Sequence, residues 1–270
     1  MKLSIGLYCI LLFLLGGQMG ACQEPGLSGP GYTFELFRNT PVYALAQAVY
    51  RQDTAEMERL VRVEKMPVDY KEGKFGNTLL FLAVATTREL SARKLLELGA
   101  DPNARGYSDT SPFLNTCEHD EVLKDATQVL GMLVDFGADV NSPMHDTTPD
   151  QFGRRKNFRA TPLELLCRYG TLSSVKLLVE RGARLDSYGP DQNSILSTAV
   201  TSRNWDIARY LLIDAKAPIP DYAVLRLPGT PQERKMTITD LLVEKGFPES
   251  ADGERLKGEI LAYLKSVGKR

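Results

Sequence analysis

The chain reads as an all-α solenoid of stacked helix–turn–helix units, on three observations. An opening motif recurs, as Asn77-Thr78-Leu79-Leu80, Thr110-Ser111-Pro112-Phe113, Ala160-Thr161-Pro162-Leu163 and Asn193-Ser194-Ile195-Leu196. A closing motif recurs, as Leu95-Leu96-Glu97-Leu98-Gly99-Ala100-Asp101, Leu133-Val134-Asp135-Phe136-Gly137-Ala138-Asp139 and Leu177-Leu178-Val179-Glu180-Arg181-Gly182-Ala183, with Tyr210-Leu211-Leu212-Ile213-Asp214-Ala215 as a weaker fourth. The spacing repeats too: Thr78 to Ser111 is 33 residues, and Thr161 to Ser194 is again 33. Units of that size cannot bury an apolar face alone and are stable only when stacked.

Each element follows from its residues. The hydroxyls of Thr78, Ser111, Thr161 and Ser194 are placed to accept from the free N–H groups that start a helix. Pro112 and Pro162 fall in the first helical turn, where no N–H is needed. The paired leucines bury the second helix against its neighbours. Gly99, Gly137 and Gly182 stand where a left-handed residue ends that helix. The Thr-Pro-Leu opening and the Leu-Leu-x-x-Gly-Ala-Asp closing together resemble the ankyrin repeat. That resemblance implies a protein-binding module that uses the hairpin fingers between repeats and the concave helical face.

Both ends read as degenerate caps. Thr40-Pro41-Val42-Tyr43 opens a first unit, with helices expected near 42–50 and 54–63. Thr237 to Leu242 opens a last unit, closed by an amphipathic helix near 253–267. The repeat domain is therefore expected over 39–270, with four clear repeats and two caps. Residues 22–38 hold Pro25, Gly26, Gly29, Pro30 and Gly31 and read as a flexible tether.

What precedes the tether is a leader. Lys2 is followed by an apolar run of 13 residues, Leu3 to Leu15, broken by Gly16-Gly17-Gln18. A permanent span needs about 20 residues, so this run has the length of a signal-peptide core. Met19-Gly20-Ala21-Cys22 resembles the bacterial lipobox. The resemblance implies cleavage of residues 1–21 and lipid, palmitate included, on Cys22. An ordinary secretory leader with a coincidental cysteine is the alternative. Gln23 follows the cysteine where Asp would retain the protein in the inner membrane. By resemblance to enterobacterial sorting, this implies an outer-membrane anchor with the domain facing the periplasm.

The bulk numbers exclude several classes. Lys and Arg total 33 against 34 Asp and Glu, so nothing points to nucleic acid. No apolar stretch beyond the leader points to a transmembrane helix. His119 and His145 are the two histidines, and neither has metal-ligand spacing. No Cys-x-x-Cys, phosphate loop or Gly-x-Ser-x-Gly elbow occurs. Gly26-Leu27-Ser28-Gly29 has Pro30 where that elbow needs glycine. No converging polar set suggests catalysis, a cofactor or a small-molecule substrate. Glu118, Asp120, Glu121 and Asp125 read as a solvated helix face or loop.

Cys117 and Cys167 lie six residues after Ser111 and Thr161, so they are equivalent positions of adjacent repeats. Stacked repeats hold equivalent atoms roughly 10 Å apart, beyond the ~7 Å between Cα atoms that a disulfide tolerates. Two buried, reduced thiols are expected.

The departures from the repeat locate a partner surface. Ser111 to Thr161 is 50 residues, an excess that falls mostly in a long finger at 142–160. It holds Phe152, Arg154, Arg155, Lys156, Phe158 and Arg159. Basic groups between aromatics suit an acidic protein surface, although a solvated insertion has the same composition. Tyr107 and Tyr188, with Tyr70, sit in the other fingers, where a large side chain with a polar tip suits an interface or packs on the next finger. Trp205 aligns with Leu172 and reads as core. A second insertion, residues 218–235, brings Tyr222, Leu225, Arg226 and Leu227.

Two functional readings remain open. Lipid-anchored ankyrin proteins of this architecture resemble immunity partners of type VI secreted phospholipases, which implies one tightly bound protein partner, a secreted lipase effector neutralised at the membrane it attacks. The other reading, also from family resemblance, is a scaffold or accessory factor for a resident envelope protein.

Overall fold

The computed structural model describes residues 26–123, 126–146, 158–187, 193–226, 233–243 and 250–269. Its helices form antiparallel pairs: α1 (Tyr43–Arg51) with α2 (Thr54–Arg62), α3 (Leu79–Ala85) with α4 (Glu89–Glu97), and α5 (Pro112–Glu118) with α6 (Ala126–Asp135). Next come α7 (Pro162–Tyr169) with α8 (Leu172–Glu180), and α9 (Ile195–Thr201) with α10 (Trp205–Arg209). The last pair is α11 (Ile238–Val243) and α12 (Ala251–Ser266). Successive first helices stack, as α3 on α5, α5 on α7 and α7 on α9. Successive second helices do the same, as α2 on α4 and α6 on α8.

The four predicted caps form. Thr78 Oγ1 accepts from the Phe81 N–H at 3.2 Å, Ser111 Oγ from Leu114 at 3.2 Å, Thr161 Oγ1 from Glu164 at 3.3 Å and Ser194 Oγ from Ser197 at 3.2 Å. First helices lie between two neighbours and beneath their own partner, so nearly every residue of α3, α5 and α9 is buried. Second helices keep a solvated face: in α4 only Ser91, Ala92, Leu95 and Leu96 are buried. Gly99, Gly137 and Gly182 have φ of +95°, +95° and +88°. The following alanines return N–H groups to Leu95, Leu133 and Leu178, each at 2.9 Å, which closes the second helix.

The fourth closing differs. It lacks the glycine, and α10 widens into a π turn over Tyr210–Asp214. Lys216 takes the left-handed position at φ +57°, and the Ala217 N–H reaches back to Leu211 O at 2.8 Å. Beyond it, α12 covers the array's end with Leu256, Ile260 and Leu264, and Lys257 lies 5.4 Å from the Trp205 ring.

The insertions open as short antiparallel ladders. Strand β1 (Met144–Asp146) pairs with β2 (Phe158–Ala160), and β3 (Ala223–Arg226) with β4 (Glu233–Met236). The long finger therefore has a paired stem whose base, Met144 and Ala160, is buried.

The expected tether over 22–38 is corrected over its described part. Residues 26–38 lie against the first repeats as a strap. Leu27 N–H donates to Ala85 O at 2.8 Å, Tyr32 stacks on Phe81 at 6.1 Å, and a short 3-10 helix (Phe34–Phe37) buries Phe37 completely. Five apolar side chains, Leu27, Tyr32, Phe34, Leu36 and Phe37, outweigh the prolines and glycines among which they sit. Burial of one such ring stabilises by about 2 kcal/mol, enough to hold a short segment down.

Candidate partner-binding surface

Each of the first three fingers is locked to the next by one side chain. Asn103 donates from Nδ2 to Gly137 O at 2.9 Å, while its Oδ1 accepts from Asp139 N–H at 2.9 Å. Asn141 repeats both bonds one unit on, to Gly182 O at 3.1 Å and from Arg184 N–H at 2.9 Å. Asp69 makes the acceptor half of the same fork to Asp101 N–H at 3.0 Å. An amide satisfies a donor and an acceptor at once, so the fork fixes finger spacing. The first finger has a further brace: the Glu72 carboxylate is fully buried and accepts from the N–H groups of Lys74, Phe75 and Asn77 at 2.6, 2.7 and 3.0 Å.

On this edge Tyr107 stands 69% exposed, beside Gly76, where an added Cβ would lie 2.8 Å from its ring. Tyr70 is instead half-buried against Phe37 at 6.4 Å. Phe158 and Arg159 have their backbones in β2, paired with Asp146 and His145; their side chains lie outside the described residues. Phe152, Arg154, Arg155, Lys156, Tyr188 and Cys22 lie outside them altogether. In the second insertion Tyr222 is exposed and Lys235 Nζ sits 4.4 Å over its ring.

The acidic cluster is corrected at Asp120. Its carboxylate is 4% exposed and crosses to the next repeat, where it accepts from Thr171 N–H at 2.8 Å and Ser174 Oγ at 2.5 Å. Those are the first groups of α8, so the charge sits at a helix N-terminus that favours it. A charge in a run of four acids carries no mark of this role, because the partner lies 51 residues away.

Cys117 and Cys167 are free and buried, as their equivalent positions predict. Burial, with Asp120 beside Cys117 and Glu164 beside Cys167, pushes both thiols well above their ordinary range. Among the described residues no cluster of His, Cys, Asp or Glu is placed to hold a metal ion, and no helix is long and apolar enough to cross a membrane.

The concave side of the first repeats is partly taken by the strap. Tyr32 donates from its hydroxyl to Asn115 Oδ1 at 3.4 Å, and Asn77 Nδ2 donates to Gly31 O at 3.2 Å. Burial, then the nearby Glu118 charge, raises the Tyr32 phenol. Between strap and α1 lies a cavity of about 710 Å³ walled by Tyr32, Phe34, Tyr43, Tyr50, Arg51 and Arg88. Arg88 lies over the Tyr50 ring at 4.1 Å.

Paired helices, glycine-closed turns and fingers on one edge match a solved structure. The chain has the ankyrin-repeat fold. The crystal structure of EF0377, an ankyrin repeat protein, superposes with a TM-score of 0.57 over 86% of this chain and all of its own, at 22% identity. The chain matches no family profile and no curated protein.

Proposed function

We propose that the protein is a non-catalytic, lipid-anchored binding protein of the periplasm that captures one protein partner on its finger edge. The carrying observation is the pairing of a rigid, side-chain-locked row of fingers with a long inserted finger on a two-stranded stem. Rigid presentation reduces the ordering cost of binding, and the basic–aromatic sequence of 152–159 supplies anchor-type residues for an acidic surface. The leader and Cys22 support an outer-membrane anchor, and tethering raises the local concentration at that surface. In its finer form the reading is an immunity protein that neutralises a secreted phospholipase. Its support is the resemblance in architecture and the value of holding an inhibitor beside the membrane under attack.

The test uses the exported Cys22→Ser chain, freed from the membrane, as bait in envelope extract, with a parallel bait carrying Arg154→Ala, Arg155→Ala and Phe158→Ala. One tightly held lipase, inhibited by the first bait and not the second, is the expected result. Several weakly held resident proteins, indifferent to the substitutions, would replace the inhibitor with a scaffold.

A further inference from the structure

We infer that the strap is an orienting latch: it holds the array with its helix-turn edge toward the bilayer and its fingers away. The inference rests on lipidation of Cys22, as proposed above.

The first observation is where the strap begins. Gly26 lies against the α3–α4 turn so closely that an added Cβ would come within 2.8 Å of Thr86 Cα, and its φ is +137°. The next residue is hydrogen-bonded to Ala85 O. Both the close approach and the backbone angle call for glycine. Three residues, Gln23, Glu24 and Pro25, separate Cys22 from Gly26, and the four steps from one to the other reach at most about 14 Å. A lipid on Cys22 would therefore attach within about 14 Å of the α3–α4 turn.

The second observation is topological. In each antiparallel pair the turn joins the end of the first helix to the start of the second, and the finger joins the opposite ends. Helix α3, of seven residues, adds about 10 Å between those edges before any finger begins. An anchor at the turn edge thus leaves Tyr107 and the stem of the long finger on the far side.

The third observation is the chemistry of the turn edge. Tyr50 is 49% and Leu90 62% exposed there, next to Arg51 and Arg88, and Leu90 N–H is held by Gln52 Oε1 at 3.2 Å. Tyrosine, arginine and an exposed aliphatic side chain suit the headgroup layer of a bilayer. The partner met by the fingers consequently approaches from the aqueous side, and the bilayer itself meets the turn edge.

The experiment uses the full lipidated protein in vesicles of phosphatidylethanolamine and phosphatidylglycerol. A fluorophore is placed on Leu90→Cys or on Tyr107→Cys, and quenching by lipids brominated or spin-labelled near the headgroup is recorded. The buried native thiols do not compete for label. Lipidation is checked first by mass and by its loss in Cys22→Ser. Strong quenching at position 90 with at least a threefold weaker effect at 107 is expected. A second variant, with twenty Gly-Ser residues inserted after Pro25, is expected to abolish the difference while lipidation persists. Equal quenching at both positions in lipidated protein would overturn the latch and leave the anchor standing. Absence of lipid on Cys22 would overturn the anchor and the orientation with it.

Discussion

The first three closings of the array and the fourth solve one problem in two ways. At Gly99, Gly137 and Gly182 a glycine at positive φ ends the second helix. At the first two of these joints the chain then runs straight into an asparagine, Asn103 or Asn141, that forks onto the next finger. At the fourth closing there is no glycine, the helix widens, and Lys216 is forced into the left-handed region. The fork stops one joint earlier: Asp186, four residues after Gly182, accepts from Arg184 at 3.1 Å and makes no bond to the following unit among the described residues. Insertion alone does not remove it, because Asn141 keeps both of its bonds at the base of the long finger. The glycine closing and the fork are thus separable devices, one ending a helix and the other spacing the fingers.

Breaking the stacked core tests the part that both halves share. Phe113→Ala and Leu133→Ala, fully buried in the regular half, are each expected to cost about 3 to 5 kcal/mol in a denaturant titration. Removing Asp120, with Asp120→Ala leaving the start of α8 unpaired across a joint, is expected to cost about 2 kcal/mol. A smaller and more telling pair concerns the closings. Gly137→Ala is expected to destabilise by about 1 to 2 kcal/mol, whereas Lys216→Gly is expected to stabilise by up to about 1 kcal/mol. Equal signs would show that the fourth closing is not strained. Asn103→Ala should then cost about 1 kcal/mol, and Asp186→Ala should leave the melt unchanged.

The thiols add a pH dependence. Both native cysteines are held protonated above the ordinary value of 9.0, so the unfolded chain loses protons first as the pH rises. Stability present at pH 8 is therefore lost above about pH 9, by about 1.4 kcal/mol per pH unit for each thiol. The Cys117→Ala, Cys167→Ala double variant should flatten that slope. A thiol reagent should find neither cysteine in the native protein at pH 8 and both after denaturation.

What was legible in the sequence is what depends on local chemistry. A hydroxyl three residues before the N–H that donates to it, a proline in a first turn and a glycine ending a helix each act within one turn of chain, and all were readable. So were Trp205 as core and the thiols as unpaired, because equivalence of position is itself a repeat property. The Asp120 bond, the Asn103 fork and the buried Glu72 were not readable, since their side chains look solvated until a neighbour is placed beside them. The strap failed for another reason: Pro25, Gly26 and Gly29 suggest looseness, and only the presence of Phe81 and Asn115 shows that Tyr32 has somewhere to go. Of the candidate surface, Tyr107 and the stem of the long finger are placed by the fold, while the finger's basic and aromatic side chains are known from sequence alone.

The strap also sets an order of assembly. Tyr32 bonds to Asn115, 83 positions later, and Leu27 to Ala85. A chain that emerges from a ribosome or a translocon with its N-terminus first presents Leu27 and Tyr32 long before α3 and α5 exist to receive them. That end of the strap is among the last parts to be covered, so nascent chains that stop short of Glu118 leave Tyr32 without its α5 partner. Its docking is completed when the third helix pair begins to stack.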